Sequence, residues 1–195
     1  MSLTLRVLLL AIGFSICCQA QTRTLALYAV PPKGLDAEST RVMQSELQRL
    51  LEPAGLDVVW KDSRGSKRED YDLVVVGSFE SCAPKEPGVT SILADTSISN
   101  GRILPFFRVD CASLIRMLDR SDSFVLGRGL ARVVAHELYH IIAQTTAHHD
   151  TGVAKAKFSV KDLTSPRFEL DMWSLALMRP SVPAMQVSGP ELSGR

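Results

Sequence analysis

No block of lysine or arginine interrupts this chain, and no apolar-periodic segment carries a basic face. Its 22 basic residues are balanced by 21 acidic ones, for a formal charge of +1. Binding to phosphates needs clustered cations, so nucleic acid is not expected as a partner. Cysteine is scarce too, four in 195 residues, and no two stand as C-x-x-C. That spacing would have signalled a thiolate metal site or a redox pair. Internal repeats are absent, which sets solenoids aside. The apolar run from Val7 to Ile16 is too short to span a bilayer comfortably.

What is present suits one exported domain. Arg6 precedes that apolar run, and Cys18 and Ala20 precede Gln21. This is the layout of a secretory signal peptide over residues 1–20, cleaved after Ala20. Bulky Ile16 opposes lipid attachment at Cys17 or Cys18. Removal of the signal leaves no membrane anchor and places the protein outside the cytoplasm, secreted or periplasmic. The mature chain keeps Cys82 and Cys111, an even pair that an oxidising compartment joins as a disulfide. Residues 21–180 are long enough for a single domain with a hydrophobic core. The segment 181–195, rich in Pro, Ser and Gly, reads as a flexible tail.

Apolar periodicity orders the chain as strand, helix, several strands, then helices. A strand at 24–30 ends at Pro31 and Pro32. Residues 37–52 carry Val42, Met43, Leu47, Leu50 and Leu51 at helical spacing, stopped by Pro53 and Gly55. Further strands are expected at 56–61, 71–77, 90–95 and 103–110, with a charged loop at 62–70 and a turn at 98–102. Pro105 offers no donor to a ladder, so 103–110 is expected at a sheet edge. Helices follow over 111–120, from Ser123 through Ala143, and over 164–179. This order is that of an α+β domain.

All four histidines lie between Val133 and Asp150. His136, Glu137 and His140 spell H-E-x-x-H. On a helix, positions i and i+4 share a face, so His136 and His140 project side by side. Zinc prefers imidazole nitrogen, and beside it Glu137 is placed to act as general base towards a zinc-bound water. Val133, Val134, Leu138, Ile141 and Ile142 make the rest of the helix apolar. Two histidines and a carboxylate buried together need a partner, and a divalent cation supplies one. A catalytic zinc takes three protein ligands. The spacing H-E-x-x-H-x-x-G-x-x-H would put the glycine on Ala143 and the third histidine on Thr146, and neither matches. His148, His149 and Asp150 are the candidates that remain.

The segment HELYHIIAQTTAHHDTGVAKAKFS resembles zincin-type, metzincin-like zinc metallopeptidases, specifically short exported bacterial proteins. Their pattern is H-E-x-x-H, seven residues, H, then a G-I-M-like turn and a basic residue. The resemblance makes His148 the third ligand and Gly152-Val153-Ala154-Lys155 the turn. It continues loosely upstream through Cys82, GRILPFFRVDC and Cys111. Ala154 replaces the turn's methionine, and Gln144 stands where the relatives carry a glycine. The resemblance implies a zincin-like mixed sheet, an active-site helix carrying HExxH and a small helical C-terminal part. It also implies an antiparallel edge strand beside the cleft to which an extended peptide can add, with 103–110 as the candidate.

The reading that follows is an exported zinc-dependent endopeptidase acting on a peptide or protein. A purely structural zinc site has no need of Glu137. The alternative is a catalytically inactive zinc-binding module with a structural or partner-binding role, for which the unusual spacing and missing methionine leave room. A third reading treats the helix as plain core. Of the neighbours, His149 is expected on an exposed loop rather than over an oxyanion. Tyr139 is expected beneath the site, Arg132 as a solvated or structurally paired residue, and Asp150 as a support for a ligand histidine.

Overall fold

The computed structural model describes residues 22–62, 70–83, 92–119 and 122–179. The signal peptide, the tail and residues 63–69 and 90–91 of the expected loop and strand lie outside them. The elements are β1 (Arg23–Tyr28), α1 (Ala37–Leu51), β2 (Leu56–Lys61), β3 (Leu73–Phe79), β4 (Ala94–Ser99), β5 (Arg102–Val109), α2 (Cys111–Leu118), α3 (Ser123–Ala143), α4 (Val160–Thr164) and α5 (Met172–Met178).

The strands form one mixed sheet in the order β2-β1-β3-β5-β4. β1 runs parallel to β2 and β3, and β3 parallel to β5, while β4 is antiparallel to β5. Parallel neighbours need a crossover, which α1 supplies between β1 and β2. β4 and β5 form a hairpin through Asn100 and Gly101, at φ 50° and 74°. Two left-handed residues make the tight turn whose twist matches the strands it joins. Leu25, Leu27, Val75, Phe107 and Val109 of the sheet share one core with Met43, Leu47 and Leu50 of α1 and with Leu130, Val134 and Leu138 of α3. Each such side chain contributes roughly 1.5–3 kcal/mol on burial. On the other face Val74, Val76 and Phe106 stay partly exposed.

The edges are β2 and β4, not residues 103–110. β5 lies inside the sheet despite Pro105, because the ladder is interrupted around that residue. Pairing with β3 begins only at Val76↔Phe106. On the other side the register jumps from Thr96↔Phe107 to Ile98↔Ile103. Leu104 to Phe106 thus bulge opposite Ser97, and a missing N–H costs nothing where no strand asks for it. The strand expected at 90–95 starts later, at Ala94, and runs on into the Asn-Gly turn.

The C-terminal part also departs from expectation. Of the helix expected over 164–179 only the last part forms, as α5, and the short α4 ends where it was expected to begin. Ser165 turns extended, at φ −58° and ψ 148°, as the residue before Pro166 is biased to do.

Candidate metal centre

α3 begins at Asp122, whose side chain accepts from Val125 N. It runs for 21 residues, and its last two turns carry His136, Glu137 and His140. Gln144 ends it in the left-handed region, at φ 50° and ψ 44°. The side-chain Nε2 of Gln144 donates to the carbonyl of Ile141 at 2.7 Å, which satisfies an acceptor the helix end would otherwise leave open. Gln144 thus takes up the left-handed conformation and caps the helix with its own amide.

The chain then turns back. Nδ1 of His136 donates to the carbonyl of Val153 and Nδ1 of His140 to that of Thr145, each at 2.7 Å. A carbonyl only accepts, so the proton of each neutral ring sits on Nδ1 and each Nε2 carries a lone pair. These two Nε2 atoms lie 3.0 Å apart. Burial, joined by the neighbouring histidines, pushes His136 down to about 4. His140 is lowered in the same way by burial, with His148 adding to the effect. Both shifts favour the uncharged rings, in which each Nε2 is free to face a cation. Two lone pairs face each other across a gap suited to a cation. Tetrahedral zinc with Zn–N of ~2.0–2.1 Å separates its ligand nitrogens by about 3.3 Å.

His148 brings the third ring. Its centroid lies 5.2 Å from that of His136 and 4.9 Å from that of His140. One ring nitrogen from each of His136, His140 and His148 falls within 4.8 Å of the others. Among the described residues this is the one His/Cys/Asp/Glu group able to hold a metal ion. His149 and Asp150 stand outside it. His149 instead bonds through its backbone N–H to Ala154 O at 2.9 Å, closing the turn that directly follows His148.

Glu137 faces the same cavity from the next position on the helix. It is only 4 % exposed, and burial pushes its carboxyl up to about 7, against the hydroxyl of Thr96 and with Asp95 adding to the rise. A carboxyl poised near neutrality suits proton transfer. A pocket of ≈ 320 Å³ lies between β4 and the three histidines. A second, of ≈ 530 Å³, opens on the other side of Glu137 against Leu93, Met117, Val133 and Phe158.

No protein-family model matches this chain, and neither does any curated protein. Among solved structures it is similar to archaemetzincin from Methanopyrus kandleri, with a TM-score of 0.52 and 12% sequence identity over 84% of this chain and 96% of that one. The fold is zincin-like. At that identity the likeness speaks for the fold alone.

Within the zincin-like frame the supporting residues fall into place. Tyr139 is fully buried beside His140, and its hydroxyl donates to Ala147 O at 3.3 Å. Arg132 is fully buried as well. It pairs with Glu46 at 2.9 Å and donates to the carbonyls of Asp162 and Ser165. It is a structural clamp between α1, α3 and α4, not a substrate contact. Ala154, in the place of the turn's methionine, is buried directly after the carbonyl that orients His136. Asp150 is exposed and, among the described residues, hydrogen-bonds to none of the three clustered histidines. Cys82 and Cys111 are joined, tying the end of β3 to the start of α2. The residue that sequence reading missed is Thr96, whose hydroxyl donates to Glu137 Oε2 at 2.5 Å. No local pattern marks it, because 41 residues separate the partners.

Proposed function

We propose that this protein is an exported zinc-dependent endopeptidase, with His136, His140 and His148 holding the metal and Glu137 acting as general base. The observation that carries the reading is the pair of facing Nε2 lone pairs, each ring oriented by a backbone carbonyl, on the helix turn that also presents Glu137. Hydrogen bonds from Nδ1 to carbonyls are the usual way of orienting metal-binding imidazoles. Zinc, when bound, would polarise the scissile carbonyl and ease deprotonation of water. Glu137 would accept the proton of the attacking water and deliver it to the leaving amine. The outer edge of β4, which pairs with no further strand among the described residues, would align an extended peptide by backbone hydrogen bonds. The Cys82–Cys111 disulfide supports an oxidising compartment, secreted or periplasmic. Among the described residues no helix is long and apolar enough to cross a membrane.

Protein purified without chelators should carry one zinc per chain and cleave an unstructured polypeptide such as casein. Glu137→Gln should retain zinc and lose about 10²–10⁴-fold in kcat. His148→Ala should lose zinc, whereas His149→Ala should keep it. Bound zinc without cleavage would favour the inactive binding module. Absence of zinc would return α3 to plain core.

A further inference from the structure

Thr96 stands on the edge strand β4, immediately before the register jump opposite Pro105. Bulges re-aim side chains, and here the strand sends a hydroxyl across to α3. Oγ1 of Thr96 lies 2.5 Å from Glu137 Oε2 and 3.5 Å from the backbone oxygen of the same residue. A hydroxyl has a single proton, and the shorter contact takes it. The other carboxylate oxygen, Oε1, has no hydrogen-bond partner among the described residues. Among the described residues the one sealed side-chain polar atom without a partner is Arg23 Nε. Oε1 is therefore not sealed, and Glu137 lines both the cavity it shares with the three histidines and the neighbouring one it shares with His136. One oxygen of the carboxylate is tethered and the other is left to the open space beside the histidines.

We propose that Thr96 is the positioning residue for Glu137: its hydroxyl holds one carboxylate oxygen so that the other faces the metal-binding cavity. The proposal rests on the peptidase reading above. It also links the strand on which a peptide would align to the group that would move the proton. An untethered glutamate can turn about its last bonds, and a misplacement of about 1 Å at a reacting group costs on the order of 10²-fold in rate.

The test uses the zinc-loaded full-length mature protein and its metal-free form. Thr96→Val keeps the shape and removes the donor; Thr96→Ser keeps the donor. Thr96→Val should lower kcat about 10–10²-fold with KM within about twofold, and Thr96→Ser should restore kcat to within about threefold. In metal-free protein, Thr96→Val and Glu137→Ala should be coupled. Their combined loss in Tm should fall short of the sum of the single losses by about 2–4 °C. Wild-type kcat in Thr96→Val, a loss equal in the serine variant, or a rise in KM at constant kcat would each overturn the proposal. So would additive Tm losses. A wild-type protein that binds zinc but cleaves nothing would sink the peptidase reading instead, and the thermal cycle would still decide whether Thr96 holds Glu137.

Discussion

A histidine ring has two nitrogens, and in this molecule the backbone decides which of them is left for chemistry. The carbonyls of Val153 and Thr145 take the Nδ1 protons of His136 and His140, so the Nε2 atoms converge as bare acceptors. The Val153 carbonyl is held in place by a turn that is itself pinned. Lys155 donates to Asp162 at 2.7 Å, and Asp162 also receives the amide and hydroxyl of Ser159. Burial opposes ionisation of Asp162, yet Lys155 and Ser159 together hold its carboxyl down to about 2. In the unfolded chain an aspartate titrates near ~3.9. The folded state is thus favoured by this group above about pH 4, and the benefit is lost as pH falls from there through 2. Between pH 5 and 2.5 the Tm of the wild type should fall more steeply than that of Asp162→Asn. Parallel slopes would show that Asp162 gives no such support.

Among the elements, the position of α3 against the sheet sets the site, and α1 is what holds it there. Gly127 makes their approach possible: an added Cβ would stand 2.4 Å from the Ser39 carbonyl oxygen and 2.8 Å from Val42 Cβ. The first of these is backbone and cannot swing aside. Gly127→Ala should destabilise the protein by about 1–3 kcal/mol, read as a lower urea midpoint at unchanged slope. Below the contact, the Glu46–Arg132 pair joins the same two helices. Burial pushes the Glu46 carboxyl up, but Arg49 and Arg132 outweigh it and keep the group below its ordinary value. On the other side of α3 the β4–β5 hairpin forms the wall of the cavity. Its bulge accommodates Pro105 and places Thr96 at Glu137, so one irregularity answers both a missing donor and the reach of a side chain.

For the molecule as a whole, one covalent ring encloses that wall. The disulfide joins residues 29 apart in sequence, and β4 and β5 both lie between them. Closing a loop of this length removes unfolded-state entropy worth roughly 3–4 kcal/mol. The double variant Cys82→Ser/Cys111→Ser should lose about that much in urea unfolding. Because α3 lies outside the ring, the variant should still bind zinc while folded. A loss well under 1 kcal/mol would mean the hairpin is held by its packing alone.

Much of this was legible in the chain. The helices over 37–52 and from Ser123 to Ala143, the Asn-Gly turn and the histidine-glutamate face are all products of local periodicity or short spacing, and the disulfide followed from an even cysteine pair in an exported chain. Helical geometry acts over four residues, so H-E-x-x-H placed two imidazoles and a carboxylate together before any tertiary contact was known. The rest depended on where distant segments meet. Which strand lies at the edge is a property of the sheet, and Pro105 misled because a bulge removed the need for its missing donor. The last helix starts late because Ser165 before Pro166 is extended, an effect that competed with apolar spacing across the segment. His148 joins His136 and His140 because the loop folds back to hand its carbonyls to their rings. Thr96 reaches Glu137 because an edge strand and a helix, far apart in sequence, share one core.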